Sequence, residues 1–271
     1  MACREGQTLT AIAVANQKGG VGKTTTAISL GAALAARNVR VLLIDLDPQG
    51  NATSGLGETR DRATSVHGVL LRDAPISGAI VPTAVPGLDL LPSGTEMAGA
   101  EVELVPAMAR EFRLRSALQG LSGYDVVLID CPPSLGLLTV NALAASDEVI
   151  VPVQAEYLAL EGLAQLLATI EAVRARLNQK LAVLAVLMTM VDRRNRLSLQ
   201  VSEEVRRHFP ELIAQTQIPR SVRLAEAPSH GKPISLYDPT SRASEAYSDL
   251  ATEIAARLAS RQPIALAGAV S

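Results

Sequence analysis

The chain has 271 residues, 48% of them hydrophobic and 2% aromatic, with a formal net charge of −2. This length and composition fit a single α/β domain whose core is packed mainly by Ala, Leu and Val. The charge excludes a global positive field for nucleic acid, so any contact with DNA has to come from a local patch. The two cysteines, Cys3 and Cys131, form neither a disulfide framework nor a metal-ligand spacing, which favours the reducing cytosol.

Apolar segments typical of buried strands alternate with helical patterns along the chain. This alternation predicts an α/β fold, a doubly wound and mainly parallel β-sheet flanked by helices, with ligands at the carboxyl ends of the strands. Residues 53–86, rich in Gly, Pro, Thr and Ser, are expected to form a loop with one short helix. The predicted strands cover residues 10–16, 40–45, 88–91, 124–130, 148–152, 181–189 and 213–218. The predicted helices cover residues 27–37, 100–121, 158–177, 198–208 and 241–261.

No repeat or linker divides the sequence. We therefore predict one domain over residues 10–262, a flexible extension over 1–9 and a flexible tail over 263–271. No apolar run reaches the roughly 18–20 residues of a membrane-spanning helix, and the first residues are too polar for a signal peptide. A cytoplasmic protein without a membrane partner is expected.

Residues 16–26, with the sequence NQKGGVGKTTT, stand between an apolar strand and a helical pattern. That context predicts a phosphate-binding loop, in which glycines let backbone N–H groups wrap a phosphate chain at a helix N-terminus. Lys23 is expected to reach the terminal phosphates, and the Thr24 hydroxyl to bind Mg²⁺. The alternative is an ordinary strand–helix turn. The predicted nucleotide contacts come from Lys18, Gly19, Gly20, Val21, Gly22, Lys23, Thr24 and Thr25.

The loop departs from the usual spacing G-x-x-x-x-G-K-[ST]. Gln17 stands where the first glycine is expected, and a second lysine, Lys18, directly precedes Gly19 and Gly20. The segment is therefore a deviant form of the phosphate-binding loop, and the extra lysine is the feature that sets it apart.

Two predicted strands end in Asp at the edge where the phosphates of a nucleotide are expected. Asp45 and Asp47 follow the apolar run at 41–44, and Asp130 follows the run at 126–129. A carboxylate behind such a run is costly to bury unless a cation meets it, and Mg²⁺ on nucleotide phosphates is such a cation. Asp130 is therefore predicted to hold Mg²⁺, Asp45 to support its outer shell, and Asp47 to orient the attacking water. The alternative is that these residues only cap turns.

At these residues the sequence closely resembles the ParA/Soj family of partitioning ATPases. This family lies within the deviant Walker A group of P-loop proteins, which also contains MinD and the nitrogenase iron protein. The resemblance extends over nearly the whole chain, but the cysteines that bind the nitrogenase cluster are missing. The last matching string resembles chromosomal Soj-type proteins rather than MinD. The matching strings lie at 16–26, 41–51, 129–134, 151–157 and 218–234.

The resemblance implies an enzyme that hydrolyses ATP slowly, with Mg²⁺, as an ATP-dependent sandwich homodimer. Lys18 would be the signature lysine that reaches the phosphates of the other subunit, so that its charge acts only when two subunits close. Lys18, Lys23 and Asp47 would be the catalytic residues. Backbone around Met190 and Pro219 would border the adenine.

Basic residues cluster in two segments of the second half of the chain. By composition alone a solvated face explains them better, because acidic neighbours dilute their charge. The resemblance implies instead that Arg194, Arg223 and Lys232 contact DNA, and phosphate contacts give affinity without base specificity. It also implies nonspecific binding of double-stranded DNA on the nucleoid and a ParB-type centromere-binding partner that stimulates hydrolysis.

Two other classes of function stay open. A small-molecule ATP-dependent enzyme is compatible with the phosphate loop, although no polar constellation for a second substrate stands out. A MinD-like spatial regulator needs a C-terminal amphipathic membrane helix, and the segment 261–268 lacks the basic amphipathic face of such a helix.

Overall fold

One seven-stranded sheet forms the centre of the fold. The computed structural model describes residues 9–61, 64–156, 159–192 and 194–260. The strands are β1 (Thr10–Val14), β2 (Val41–Asp45), β3 (Val81–Pro82), β4 (Leu88–Leu91), β5 (Val126–Asp130), β6 (Glu148–Gln154) and β7 (Ala182–Thr189). Their spatial order is β3-β4-β2-β5-β1-β6-β7. Neighbouring strands run parallel except for the antiparallel pair β3 and β4.

Helices cover both faces of this sheet. They are α1 (Lys23–Ala35), α2 (Asn51–Gly55), α3 (Val66–Leu71), α4 (Ala100–Leu104), α5 (Arg113–Leu118), α6 (Leu137–Ala145), α7 (Ala159–Arg176), α8 (Arg196–His208), α9 (Val222–Glu226), α10 (Ile234–Tyr237) and α11 (Arg242–Ser260). One hydrophobic core lies between the sheet and α1, α10 and α11, and a second lies between the sheet and α3 to α8. Alternate strand residues enter opposite cores, as Ala13 and Val14 do. The prediction of a doubly wound, mainly parallel sheet is confirmed.

The carboxyl ends of β1, β2 and β5 meet at one edge of the sheet, because these strands are parallel and in register. Asp130 pairs with Val14 on one side and with Asp45 on the other. β1 leads through residues 15–22 directly into α1. The phosphate-loop segment and two buried carboxylates are therefore brought to the same edge.

The helix predicted over residues 100–121 is wrong in its length. α4 ends at Leu104 and α5 begins at Arg113, with turns between them. Pro106 has no N–H to donate, and Ala109 has a φ of 50°, a left-handed conformation incompatible with a continuing right-handed helix. Hydrophobic spacing continued across this break, so the pattern alone did not reveal it.

The strand predicted over residues 213–218 is also wrong as a regular element. The segment pairs with its neighbours through two isolated bridges, at Ile213 and at Pro219. Between the bridges, the Glu253 carboxylate of α11 accepts hydrogen bonds from the backbone N–H groups of residues 215–216, each at 2.9 Å. The Glu253 side chain thus accepts the two backbone N–H groups that would otherwise be available to pair with a neighbouring strand.

The segment 53–86 is more regular than predicted. Instead of one short helix it contains the end of α2, the whole of α3, a 3₁₀ turn at Ile76–Gly78 and the edge strand β3. Residues 1–8 and 261–271 lie outside the described residues, so the flexible extension and tail stay predictions. Among the helices that the structure describes, none combines the length and hydrophobicity that crossing a bilayer demands.

Candidate nucleotide-binding site

Two glycines with left-handed backbone shape the loop before α1. Gly20 has a φ of 75° and Gly22 a φ of 88°, values that residues with a Cβ rarely adopt. Gly22 is the N-cap of α1, so Lys23 is the first residue of that helix. The loop therefore leads directly onto a helix N-terminus, where free N–H groups and the helix dipole favour a phosphate.

The Lys23 side chain lies within the loop rather than in solvent. Only 6% of the residue is exposed, and Nζ donates a hydrogen bond to the Lys18 carbonyl oxygen at 3.1 Å. Burial lowers the pKa of Lys23, and the negative charge of Asp130 opposes that change. An ammonium group has three donors, so Nζ can bind a phosphate oxygen while it keeps this carbonyl contact.

Side chains and carbonyl groups of distant strands hold the loop in place. Asn16 donates to the Pro152 carbonyl oxygen of β6 at 2.7 Å and accepts the Lys18 N–H at 3.0 Å. The Thr189 hydroxyl, at the end of β7, donates to the Val21 carbonyl oxygen at 2.8 Å. The loop conformation therefore depends on the assembled sheet as well as on its glycines.

Met190 and Pro219, which are predicted to border the adenine, flank the same region. Met190 directly follows Thr189 and has a φ of 52°, and Pro219 is bridged to Val191. A left-handed residue other than glycine is uncommon, and such residues concentrate at functional sites. The adenine contact stays a prediction, and this geometry is compatible with it.

Asp130 is fully buried, and neither of its carboxylate oxygens has a hydrogen-bond partner among the described residues. Burial raises its pKa well above the ordinary value, and the charge of Asp45 raises it further. The Thr24 hydroxyl is close enough to lower that pKa, although it does not reach hydrogen-bond geometry. A buried carboxylate without donors is strongly disfavoured until a cation joins it.

The oxygen donors at this edge fit Mg²⁺. In the described part of the chain, no group of three or more His, Cys, Asp and Glu side chains could hold a metal ion by itself. Mg²⁺ is usually bound by one or two carboxylates together with substrate phosphates and water. Asp130 and Thr24 beside a phosphate loop match this donor set, because nucleotide phosphates complete it.

Asp45 is equally buried, but its oxygens are occupied. It accepts hydrogen bonds from the Thr53 N–H at 2.7 Å, the Thr53 hydroxyl at 2.6 Å and the Asp47 N–H at 3.3 Å. Burial raises the pKa of Asp45 to about 6, and the bonds from Thr53 oppose the rise. Its role in the outer shell of the metal stays a prediction, and its contacts here organise the turn after β2.

Asp47 lies in that turn, with 6% of the residue exposed. Its carboxylate accepts the Gln49 N–H at 2.9 Å. Its carbonyl oxygen accepts the Gly50 N–H and the Ser93 hydroxyl, each at 2.9 Å. The backbone of Asp47 is therefore held in place. Its carboxylate lies near Lys23 and Asp130: its charge opposes the lowering of the Lys23 pKa and adds to the rise of the Asp130 pKa.

Lys18 forms an ion pair within its own chain. Its Nζ lies 2.7 Å from Glu156 Oε2, with 43% and 46% of the two side chains exposed. Gln154 donates a hydrogen bond to the other Glu156 oxygen. An exposed pair of this kind contributes about 0–1 kcal/mol, so it can be exchanged for another partner. The predicted contact of Lys18 with a second subunit stays a prediction.

The two basic segments lie side by side, because Arg220 N–H donates to the Val191 carbonyl oxygen at 3.2 Å. Arg194 and Lys232 are exposed. Arg223 is exposed too but contacts two carboxylates, at 3.1 Å and 3.6 Å. Arg194, Arg223 and Lys232 are thus all exposed, the charge of Arg223 is partly compensated, and DNA binding by these residues stays a prediction.

Four contributors to this edge were not assigned a role from the sequence: Asn16, Thr53, Ser93 and Glu156. Asn16 and Glu156 stand inside the family-like strings, and that placement was the available signal. Thr53 begins the segment 53–86 that was predicted to be mostly loop, and Ser93 follows the strand predicted at 88–91. Hydroxyl residues are common in loops and after strands, so neither carried a pattern.

Comparison with known proteins agrees with this geometry. A family model described as an AAA domain matches residues 9–183. The sporulation initiation inhibitor protein Soj of Bacillus subtilis is 57% identical over 247 residues, covering 90% of this chain and 98% of that protein. The chromosome-partitioning ATPase Soj of Thermus thermophilus is 56% identical over 247 residues, covering 91% and 96%. The chain belongs to the ParA/Soj family.

Membership confirms the predicted ATPase class and the group of P-loop proteins to which the loop was assigned. Among solved structures, one described as cobyrinic acid a,c-diamide synthase from Mycobacterium smegmatis, with bound ADP and magnesium, matches with a TM-score of 0.83. It is 42% identical to this chain and the match covers 95% of this chain and 98% of that one.

Proposed function

We propose that this ATPase binds ATP with Mg²⁺ at the β1–β2–β5 edge and partitions chromosome or plasmid DNA. The observation that carries the proposal is Asp130, a fully buried carboxylate whose two oxygens have no donors among the described residues. It stands at a phosphate loop whose lysine is buried and free to take a further acceptor. Nucleotide-bound relatives and partitioning ATPases of the same family support this choice.

Each residue of the edge has a distinct part in hydrolysis. The loop N–H groups and Lys23 bind phosphate oxygens and stabilise the charge that develops on them. Asp130 and Thr24 would hold Mg²⁺, which would neutralise charge on the phosphates. Asp47 orients the attacking water and accepts its proton, because its backbone is fixed and its carboxylate lies beside Lys23 and Asp130.

The active form is a homodimer in which Lys18 leaves Glu156 and contacts the phosphates bound to the other subunit. An exposed ion pair is weak, whereas a phosphate chain offers several negative oxygens. Because Lys18 contacts phosphates that are bound to the other subunit, the dimer forms only when ATP is present. The basic region at Arg194, Arg223 and Lys232 then binds DNA phosphates, and two copies per dimer strengthen the attachment.

Hydrolysis ends this state. A ParB-type centromere-binding protein stimulates the slow intrinsic reaction, the dimer opens, and its attachment to nucleoid DNA is lost. Repeated cycles of this kind move the replicon to which the partner protein is bound.

A second candidate is a small-molecule enzyme, because the Mycobacterium smegmatis structure is described as a cobyrinic acid a,c-diamide synthase. The two functions differ in what accelerates ATP consumption. A synthase requires its carboxylate substrate and an ammonia donor, whereas a partitioning ATPase responds to DNA and to its protein partner.

The deciding experiment measures steady-state phosphate release from ATP and Mg²⁺, alone and with nonspecific double-stranded DNA, the ParB-type partner, or both. We expect a slow basal rate and a synergistic increase with both, and none in a Lys23→Ala control. Acceleration by cobyrinic acid and glutamine, with no response to DNA and partner, would establish the second candidate instead.

A further inference from the structure

The turn that carries Asp47 is closed by a ring of hydrogen bonds that lies outside the phosphate loop at 16–26. The Thr53 hydroxyl donates to Asp45 Oδ2 at 2.6 Å and accepts the Ser93 N–H at 2.9 Å. The Ser93 hydroxyl donates to the Asp47 carbonyl oxygen at 2.9 Å. The Asp47 N–H donates to Asp45 Oδ1 at 3.3 Å, which completes the ring.

All members of the ring are buried. Thr53, Ser93 and Asp45 have 0% exposure and Asp47 has 6%. Each hydroxyl has a single proton, and the ring uses both of them, so neither side chain can rotate without breaking a bond. In a buried site water does not replace a lost partner at low cost.

The ring fixes both sides of the Asp47 peptide backbone. Its N–H is held by Asp45 and its carbonyl oxygen by Ser93, the second residue after β4. Two separate parts of the chain, the middle of α2 and the turn after β4, therefore help to determine where the Asp47 carboxylate lies.

We propose that Thr53 and Ser93 are positioning residues for ATP hydrolysis, which act through Asp47 and touch neither nucleotide nor water. This inference rests on the proposed role of Asp47 in hydrolysis. Displacement of a catalytic group by about 1 Å lowers a rate by roughly 100-fold. The ring adds two buried contacts to the Gln49 and Gly50 N–H groups that also hold Asp47, and so helps to prevent such a displacement.

The test uses variants that differ in a hydroxyl and little else. Thr53→Val keeps the shape of the side chain and removes its donor, whereas Thr53→Ser keeps the donor and removes a methyl group. Ser93→Ala breaks the ring at its other hydroxyl and leaves the Gly50 N–H on the Asp47 carbonyl oxygen. Ser146→Ala is the matched control, since Ser146 is 2% exposed and donates to the Ala142 carbonyl oxygen at 2.7 Å, before β6 and at the opposite edge of the sheet.

Single-turnover hydrolysis, the Kd for ATP with Mg²⁺ and the thermal midpoint are measured for each protein. We expect Thr53→Val and Ser93→Ala to lose roughly 10- to 100-fold in rate with ATP affinity within about 2-fold of the wild type. Thr53→Ser and Ser146→Ala should keep most of the rate.

Three results would overturn the inference. The first is a wild-type rate in both Thr53→Val and Ser93→Ala, and the second is a Thr53→Ser protein as slow as Thr53→Val. The third is a loss of ATP affinity that parallels the loss of rate, which indicates damage to the fold. If Thr53→Val does not fold, Ser93→Ala decides alone. A wild-type protein that binds ATP but never hydrolyses it is distinguishable from these results and would remove the proposed function together with the inference.

Discussion

Replacing Asp130 by Asn should stabilise the protein in the absence of nucleotide and metal while abolishing ATP hydrolysis. Asp130 is fully buried and its oxygens receive no hydrogen bond from the described residues, so the ionised carboxylate is poorly solvated. A neutral amide avoids this penalty. Opposite effects on stability and activity are expected of a residue that is kept for its ligand.

The size of the gain has an upper bound. The folded protein can escape charge burial by protonating Asp130, which costs about 4 kcal/mol at pH 7 for a carboxyl with an ordinary pKa of 3.8. The neutral carboxyl and the neutral amide are both buried polar groups, so their burial costs largely cancel, and the nearby Lys23 already offsets part of the carboxylate penalty. A net gain of a few kcal/mol, at most about 4, is therefore expected at pH 7.

The gain should depend on pH. Because the pKa of Asp130 is raised in the folded protein, its contribution to stability is present below the ordinary pKa and is lost as the pH rises. The advantage of Asp130→Asn should therefore shrink between pH 7 and pH 5. Urea unfolding in EDTA without nucleotide, at both pH values, measures this difference.

Asp45→Asn is the matched control. Asp45 is equally buried, but three hydrogen bonds reach its oxygens. The side-chain NH₂ of an Asn at position 45 would lie against N–H or hydroxyl donors and could not accept their hydrogen bonds. We therefore expect no comparable gain in stability. An Asp130→Asn protein that is less stable than the wild type at pH 7, or equally stabilised at both pH values, would refute the reasoning.

Four further outcomes are expected. Lys18→Ala should remain monomeric with ATP and Mg²⁺ in light scattering, because the contact across the dimer is lost; wild-type dimers would contradict this role. Conversely, Glu156→Gln should dimerise at lower protein concentration, since Lys18 no longer has to leave a carboxylate, and an unchanged midpoint would count against the exchange. Asp47→Ala should bind ATP and accumulate as a long-lived dimer, and normal turnover would remove Asp47 from the mechanism. Arg194→Glu or Arg223→Glu should weaken the binding of DNA of any sequence and reduce the salt dependence of that binding, with unchanged affinity for ATP. Unchanged gel shifts at moderate salt would indicate that these residues are solvent-exposed charges without a role in DNA binding.

The sheet and the phosphate loop could be predicted because their determinants are local. Apolar runs that end in Asp45 and Asp130 indicate buried parallel strands, and the order strand, glycine loop, helix is contained in residues 10–35. The helix over 100–121 could not be predicted in full, because Pro106 and a left-handed Ala109 interrupt a hydrophobic pattern that continues past them.

Tertiary contacts decided what the sequence pattern could not. The segment at 213–218 reads as a strand, but Glu253 of a distant helix takes two of its N–H groups. Similarly, the partnership of Lys18 with Glu156 and that of Thr53 with Ser93 join residues far apart in the chain. Spacing within a motif carries no information about partners of this kind.

The attachment of the phosphate loop to β6 and β7 affects how the protein is made. The loop residues leave the ribosome early, but the carbonyl group of Pro152 and the hydroxyl group of Thr189 that fix them are synthesised much later. Contacts so distant along the chain form slowly because a long loop has to close first. A growing polypeptide therefore carries the motif without its finished geometry, and it becomes able to capture nucleotide only after Thr189 has emerged and β7 has docked.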